Sequence, residues 1–145
     1  MTNSDPFTLS RFLTAQEGVY STALEELKRG RKDSCWMWFV FPQIEGLGRT
    51  STSQFYAIKS ADEAEAYLSH PVLGRRLIEC CEALLEHTGL SASEIFGFPD
   101  DLKLKSSMTL FAAVSGEKRS VFHRVLERYF DGIQDRITLS KLSGE

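Results

Sequence analysis

Apolar residues recur at intervals of three and four along most of this chain, which is the spacing that places them on one face of a helix. In the N-terminal part this face consists of Leu9, Leu13, Gln16, Tyr20, Ala23 and Leu27. Nowhere do several stretches of alternating apolar and polar residues follow one another, as they do in β-proteins. The sequence therefore predicts an all-α fold, a compact bundle of six or seven helices forming one domain over residues 1–145.

Residues with known capping preferences mark several helix ends. The first helix is expected to end at Gly30 after two basic residues, and Gly18 is a point at which it can bend or divide. Ser60 precedes an acidic helical stretch and is expected to cap it. Ser91 and Glu94 have the spacing of a capping box, which predicts a further short helix.

Composition and charge exclude several classes of protein. The formal net charge is −3, so broad nucleic-acid binding is not expected, and the basic run at 28–32 is interpreted as a solvated helix end. The three cysteines, two of them adjacent, do not form a secreted disulfide framework. No stretch resembles a signal peptide or a membrane span. A cytoplasmic protein with reduced thiols and no membrane partner is expected.

The chain lacks the motifs that identify a reaction directly. There is no Walker loop, no His-Glu-x-x-His, no Gly-x-Ser-x-Gly and no Cys-x-x-Cys. The three histidines, His70, His87 and His123, are widely separated, so they do not have the spacing of a zinc site. No metal and no cofactor are therefore predicted.

The stretch SCWMWFVFPQIEGLGR, residues 34–49, concentrates aromatic side chains in front of a Pro-Gln pair. A short helix ending near Phe41 and a buried strand are both consistent with it, because periodicity cannot separate the two over so few residues. Most of these rings are expected in the core, although a buried indole N–H needs a partner. Trp38 and Gln43 are the candidates for lining a ligand site, since Gln43 follows a proline at a chain turn.

A second polar cluster lies in DDLKLKSSMT, at the start of a predicted helix. Asp100 and Asp101 suit the helix N-terminus and are the candidate catalytic carboxylates. Ser and Thr are poor choices for an exposed helix interior, so packing against polar backbone or contact with a ligand is expected of the hydroxyls. The candidate ligand-binding residues here are Lys103, Ser106, Ser107 and Thr109, with the lysine positioned for a phosphate or carboxylate.

Two further residues complete the candidate ligand site. Gln16 is the polar member of the first helix face, so it either ties two elements together or faces a ligand. Arg49 precedes four hydroxyl residues, where a loop followed by a helix cap is the plainer interpretation. The functional alternative is a phosphate held by Arg49 and by backbone N–H groups at that cap.

These stretches also resemble a known family. DPFTLSRFLTAQ, WMWFVFPQIEGLGR, YAIKSADEAEAYLSHPVLGRRL, EIFGFPDDLKLKSSMTLF and FDGIQDRITLSKL are similar to the bacterial domain of unknown function 1810, some of whose members are labelled calpastatin. The likeness covers about residues 5–142. The resemblance implies a small all-helical cytoplasmic domain and leaves the activity open.

The family pattern reads Ser-His-Trp-Met-Trp, whereas this chain carries Cys35 after Ser34. Either that position is not catalytic or this member is altered, so Cys35 is not a candidate catalytic residue. A remoter likeness is to the helical NADAR family, whose members act on N-glycosidic or ADP-ribose-type substrates. That likeness is an analogy of fold and supports only a hypothesis of function.

Two functions from different classes follow from the sequence. The first is a polar pocket that binds a small anionic ligand, nucleotide-like or ADP-ribose-like, and hydrolyses an N-glycosidic bond with Asp100 or Asp101 orienting the water. The alternative is a non-enzymatic protein-interaction module that uses its buried polar groups as structural hydrogen bonds and binds a protein partner through an apolar surface patch. The first function requires the tryptophan-rich segment and the Lys-Ser-Ser-Met-Thr helix to come together in space and to leave a hollow with polar lining between them.

Overall fold

The computed structural model describes residues 5–144, and within that range it contains ten helices and no strand. A single parallel bridge joins Ile44 to Ile58. The helices are α1 (Ser10–Gln16), α2 (Tyr20–Arg29), α3 (Met37–Val40), α4 (Ser51–Phe55), α5 (Ala61–Ser69), α6 (Leu73–Leu85), α7 (Ala92–Phe96), α8 (Asp100–Val114), α9 (Val121–Phe130) and α10 (Arg136–Leu142).

The predicted all-α class is confirmed, whereas the predicted number of helices was wrong. Gly18 has a φ of +73°, which breaks the first predicted helix into α1 and α2 because a left-handed residue cannot continue a helix. The hydroxyl residues after Arg49, expected to form a loop followed by a helix cap, contain the additional helix α4, whose first turn is capped by Thr50. The C-terminal tail forms α10 behind an Asp135 cap.

The predicted caps are present. Gly30 ends α2 in the left-handed conformation, and the Ser60 hydroxyl accepts a hydrogen bond from the backbone N–H of Glu63. Ser91 and Glu94 form the reciprocal bonds of a capping box at α7. Local capping chemistry therefore sets these helix boundaries.

Helix α8 is the central element of the core. It packs against α5, α7, α9 and α10, and its buried face carries Leu104, Met108 and Phe111. The Phe111 ring lies between the rings of Tyr67 and Phe122, with centroid distances of 5.4 and 5.7 Å. The start of this helix is thus fixed relative to the rest of the domain.

The tryptophan-rich segment adopts the short helix α3 and not a strand. Trp36 and Phe41 are buried, and both pack edge-on against Phe96 of α7 at centroid distances of 6.4 and 6.0 Å. Because α7 leads directly into α8, these ring contacts bring the segment to the N-terminus of α8. The two polar clusters found in the sequence therefore meet at this end of the molecule.

Candidate functional site

A buried carboxylate on α2 anchors the tryptophan-rich segment. Glu26 is 3% exposed and accepts hydrogen bonds from the backbone N–H groups of Asp33 and Ser34 at 2.8 and 3.1 Å. It also accepts bonds from the Ser34 hydroxyl and from Trp36 Nε1, the latter at 2.9 Å. The indole N–H that needed a partner thus finds one in Glu26.

These bonds keep Glu26 ionised. Burial acts to raise the pKa of the Glu26 carboxyl, but the donors from Ser34, Asp33 and Trp36 outweigh it and lower the pKa to about 2. Sequence reasoning missed this residue. The signal available was its place beside Ala23 and Leu27 on the apolar side of α2, where an acid has to be satisfied internally.

Two lysines converge on one aspartate at the start of α8. Lys32 Nζ lies 2.8 Å from Asp100 Oδ2, and Lys103 Nζ lies 3.0 Å from Asp100 Oδ1. Each ammonium group also lies over an indole ring: Lys32 over Trp36 at 5.0 Å, and Lys103 over Trp38 at 4.2 Å from the ring centroids. We call these five residues the lysine–tryptophan cluster.

The two candidate catalytic carboxylates have different surroundings. Burial acts to raise the pKa of Asp100, but its bonds to Lys32 and Lys103 hold that pKa below the ordinary value. Asp101 is half-buried, and its Oδ1 accepts the backbone N–H of Leu102 at 2.9 Å. Asp100 belongs to the lysine–tryptophan cluster, whereas Asp101 bonds to the backbone at the helix start.

Gln43 is buried with an unused donor. It is 6% exposed, and its Nε2 makes no hydrogen bond to any group within residues 5–144. Its backbone is fixed, because Gln43 O accepts the N–H of Ile58 at 2.8 Å. A buried amide donor of this kind requires an explanation, since nearly all such groups in folded proteins are paired.

Gln43 lines a cavity of about 10 Å³. Its walls are formed by the Trp38 ring, by the Gly46–Gly48 turn and by the start of α4, with lining residues that include Trp38, Gln43, Gly46, Leu47, Gly48, Ser53 and Tyr56. A volume of this size accommodates one water-sized group. Trp38 is shared between this cavity and the lysine–tryptophan cluster, so the two are neighbouring parts of one site, which we call the Trp38 site.

Gly48 is required at this position for steric reasons. A Cβ added there would lie 2.5 Å from the Ser53 side chain, closer than real Cβ atoms approach, and 3.1 Å from Trp38 Cη2, which is a tight contact. The turn therefore packs directly against the edge of the Trp38 ring. Arg49 follows as an exposed residue before α4, and its predicted phosphate contact stays a prediction.

The hydroxyl residues of α8 are buried and not on a solvated face. Ser106 Oγ donates to Leu102 O at 3.2 Å. Thr109 Oγ1 donates to Lys105 O at 2.8 Å and accepts the backbone N–H of Asp135 at 2.9 Å. Packing against polar backbone, one of the two expectations, therefore describes Ser106 and Thr109.

Ser107 differs from its neighbours on α8. It is fully buried, and its Oγ has no hydrogen-bond partner within the described part of the chain. It lies three residues after Leu104 and four before Phe111, on the side of α8 that faces the apolar core. Its predicted contact with a ligand stays a prediction.

Gln16 has protein partners for both ends of its amide. Nε2 donates to Phe39 O at 2.7 Å and to the Tyr67 hydroxyl at 3.2 Å, and Oε1 accepts from Arg76 Nη1 at 3.1 Å. These bonds join α1 to α3, α5 and α6. Of the two roles considered for Gln16, its contacts match the structural one.

The two buried cysteines are not activated thiols. Burial raises the pKa of Cys80 to about 12 and also raises the pKa of Cys81. Cys35 is exposed. Among residues 5–144 there is no group of three or more potential metal ligands, and no described helix is long and apolar enough to cross a bilayer.

Comparison with other proteins agrees with this fold. Residues 6–142 match the family described as "Protein of unknown function (DUF1810)". The chain is also similar to a solved structure, the conserved hypothetical protein Rv1873 from Mycobacterium tuberculosis, with 50% sequence identity and a TM-score of 0.93. That similarity covers 96% of this chain and 99% of the other. No curated protein is significantly similar to this chain.

The family match spans nearly the whole chain and includes both the tryptophan-rich segment and the start of α8. The similarity to the Mycobacterium tuberculosis protein extends to the backbone structure over 96% of this chain. The resemblance predicted from the sequence motifs is confirmed, and the protein belongs to the DUF1810 family.

Proposed function

We propose that this protein binds a small anionic ligand, nucleotide-like or ADP-ribose-like, at the Trp38 site. The observation that carries the proposal is the Gln43 amide, which is 6% exposed and whose Nε2 has no acceptor within residues 5–144. Leaving a buried donor unpaired costs about 1–3 kcal/mol. A ligand oxygen placed in the cavity beside Gln43 would supply this donor with an acceptor.

The size of the cavity determines how such a ligand enters. Because the space beside Gln43 is about 10 Å³, it admits a single oxygen-sized group and no ring. The rest of the ligand must therefore lie outside it, along the half-buried Trp38 ring and towards Lys103, whose side chain is 22% exposed. An aromatic wall, an amide donor and a cation are the groups that suit a nucleotide.

Hydrolysis of an N-glycosidic bond is the second part of the proposal. A general base is most effective when its pKa lies near the working pH. The pKa of Asp100 is lowered, and both of its oxygens are engaged by lysines. Within residues 5–144, Asp101 accepts a hydrogen bond at one carboxylate oxygen only, Oδ1, so it is the better candidate for orienting a water. The remote likeness to NADAR proteins also supports this reaction.

Ligand binding is tested by isothermal titration and thermal unfolding with adenosine 5′-monophosphate, ADP-ribose and ribose 5-phosphate. We expect at least one of them to raise the unfolding temperature, because a ligand at 100 times its Kd adds about 2.7 kcal/mol of stability. Gln43→Leu should weaken that binding at least tenfold. Glu127→Gln is the matched control, since it removes one exposed carboxylate from the Arg119–Glu127 pair on the surface.

Two results would contradict the proposal. One is the absence of any shift with all three compounds at millimolar concentration. The other is a Gln43→Leu variant that binds as tightly as the wild type. For the reaction, chromatography of ADP-ribose and of adenosine 5′-monophosphate after incubation should reveal free adenine, with ribose 5-phosphate as the second product of the mononucleotide. An Asp101→Asn variant should lose these products.

The alternative function, a non-enzymatic interaction module, is favoured by a different observation. Phe98 and Leu102 are 79% and 50% exposed, and they flank Asp100 and Asp101 at the start of α8. Neighbouring exposed apolar side chains are typical of contact surfaces. The ligand titrations separate the two functions, because an interaction module gains no stability from phosphate compounds.

A further inference from the structure

We infer that the Asp100 carboxylate is an internal counter-ion that occupies the position of the ligand's phosphate group, between Lys32 and Lys103. This inference rests on the proposed function and adds the chemical class of the ligand, a phosphate monoester dianion. It also assigns Asp100 a role opposite to that of a catalytic base. Asp100 competes with the ligand and leaves when the ligand binds.

The contacts of Asp100 are those of a bound anion. Each carboxylate oxygen receives a different ammonium group, Oδ2 from Lys32 at 2.8 Å and Oδ1 from Lys103 at 3.0 Å. A phosphate offers neighbouring anionic oxygens that accept the same two donors. The two lysines therefore define a site for an oxyanion, and the side chain of the protein itself fills it.

Both ammonium groups have support that does not depend on Asp100. Lys32 Nζ donates to Ser34 O at 2.6 Å and lies over the Trp36 ring. Lys103 Nζ lies 4.2 Å from the centroid of Trp38. Cation–π contacts of this kind hold a cation in place when its counter-ion changes. The site therefore persists after the aspartate has turned away.

Asp100 is placed where it can be displaced. It is the first residue of α8, its side chain is 20% exposed, and the preceding Phe98 and Pro99 are exposed. A rotation of its short side chain brings the carboxylate into water. The incoming anion then lies at the positive end of a 15-residue helix, where negative charge is stabilised.

The charge balance selects a dianion. Two lysines and one aspartate leave the cluster with a net positive charge, and replacing one carboxylate by another monoanion leaves that excess unchanged. A phosphate monoester carries a charge of about −1.5 to −2 at neutral pH and compensates both lysines. Phosphate esters should therefore bind in preference to carboxylates of similar size.

Titration of inorganic phosphate into the wild type and Asp100→Asn, at about 50 mM salt to limit screening, tests the inference. We expect Asp100→Asn to bind phosphate at least tenfold more tightly than the wild type, because the competing carboxylate is gone. Lys103→Met should bind at least tenfold more weakly. Glu127→Gln, which changes the net charge of the chain by the same amount as Asp100→Asn, should not differ from the wild type.

Unchanged or weaker phosphate binding by a folded Asp100→Asn variant would overturn the inference. A measurement on the wild type covers the case in which that variant does not fold. The NMR signal of the Asp100 carboxyl carbon should move towards the position of a solvent-exposed aspartate as phosphate saturates the site. A signal that stays in place at saturation, or a protein that binds no phosphate, also overturns the inference.

The outcomes distinguish this inference from the proposed function. If Gln43→Leu weakens the binding of adenosine 5′-monophosphate but Asp100→Asn does not tighten phosphate binding, the proposed function stands and the counter-ion role fails. If Asp100→Asn binds phosphate more tightly while Gln43→Leu binds the nucleotide normally, the lysine site is real and Gln43 is not part of it.

Discussion

Two buried glutamines allow the ligand interpretation of Gln43 to be tested by stability alone. Gln16 is 1% exposed and Gln43 is 6% exposed, so replacing either one by leucine buries a hydrocarbon of similar size. They differ in their partners. Gln16 makes three hydrogen bonds through its amide, whereas Gln43 Nε2 makes none within residues 5–144.

The expected effects have opposite signs. Gln16→Leu leaves Phe39 O, the Tyr67 hydroxyl and the Arg76 guanidinium without this partner, at about 1 kcal/mol for each neutral bond and about 1.5–3 kcal/mol for the charged one. The free energy of unfolding should fall by about 4 kcal/mol. Gln43→Leu removes an unpaired donor, so the free energy of unfolding should rise by about 1 kcal/mol.

Urea unfolding at pH 7 measures both variants, with Tm as a second readout. For a domain of this size about 1 kcal/mol corresponds to roughly 4 °C, so Gln16→Leu should unfold about 15 °C lower and Gln43→Leu about 4 °C higher than the wild type. If Gln43→Leu lost as much stability as Gln16→Leu, the Gln43 amide would have a structural role. That result would contradict a ligand-binding role for Gln43.

Three other variants test parts of the scaffold. The pKa of Glu26 is about 2 against an ordinary value of 4.5, so its contribution of about 3 kcal/mol is present above about pH 4.5 and is lost as the pH falls towards 2. Glu26→Gln should flatten the acid limb of the stability–pH curve by that amount, and an unaltered limb would contradict the assignment. Ser107→Ala removes an unpaired buried hydroxyl and should raise the free energy of unfolding by about 1 kcal/mol in urea, whereas a loss would reveal a hidden partner. Gly74→Ala puts a Cβ 1.9 Å from Leu68 O, so the free energy of unfolding should fall by at least about 3 kcal/mol in thermal unfolding. A variant as stable as the wild type would show that the α5–α6 junction can open.

Local sequence rules were sufficient for much of the scaffold. The spacing of apolar residues predicts a buried face of α6 made of Leu73, Leu77, Cys80, Cys81, Leu84 and Leu85. Five of these residues are buried there, and Leu85 is half-buried. The cap at Ser91 follows from two residues three positions apart. These features depend on neighbours in the chain, so the sequence determines them without knowledge of the tertiary fold.

The site depends on contacts between distant parts of the chain. Asp100, Lys103, Trp38 and Gln43 were predicted from residue chemistry, and the structure brings them to one end of the molecule. Lys32 was interpreted as part of a solvated run, because its partner comes from α8 and local spacing carries no information about it.

Residue chemistry also leaves open whether a polar side chain serves a ligand or the protein itself. Gln16 and Thr109 are polar residues in apolar surroundings, as Gln43 is. They bond to protein groups on other elements, which only the packing of the helices reveals. Their donors have acceptors within the protein, whereas Gln43 Nε2 has none within residues 5–144.

The most direct measurement is the NMR signal of the Gln43 side-chain amide during a titration with adenosine 5′-monophosphate or ADP-ribose. We expect the signals of the Gln43 Nε2 protons to shift as these protons gain an acceptor, while those of Gln16 stay in place because the protein already supplies their acceptors. A ligand that saturates the protein and leaves the Gln43 amide signal unmoved would contradict a ligand site at Gln43.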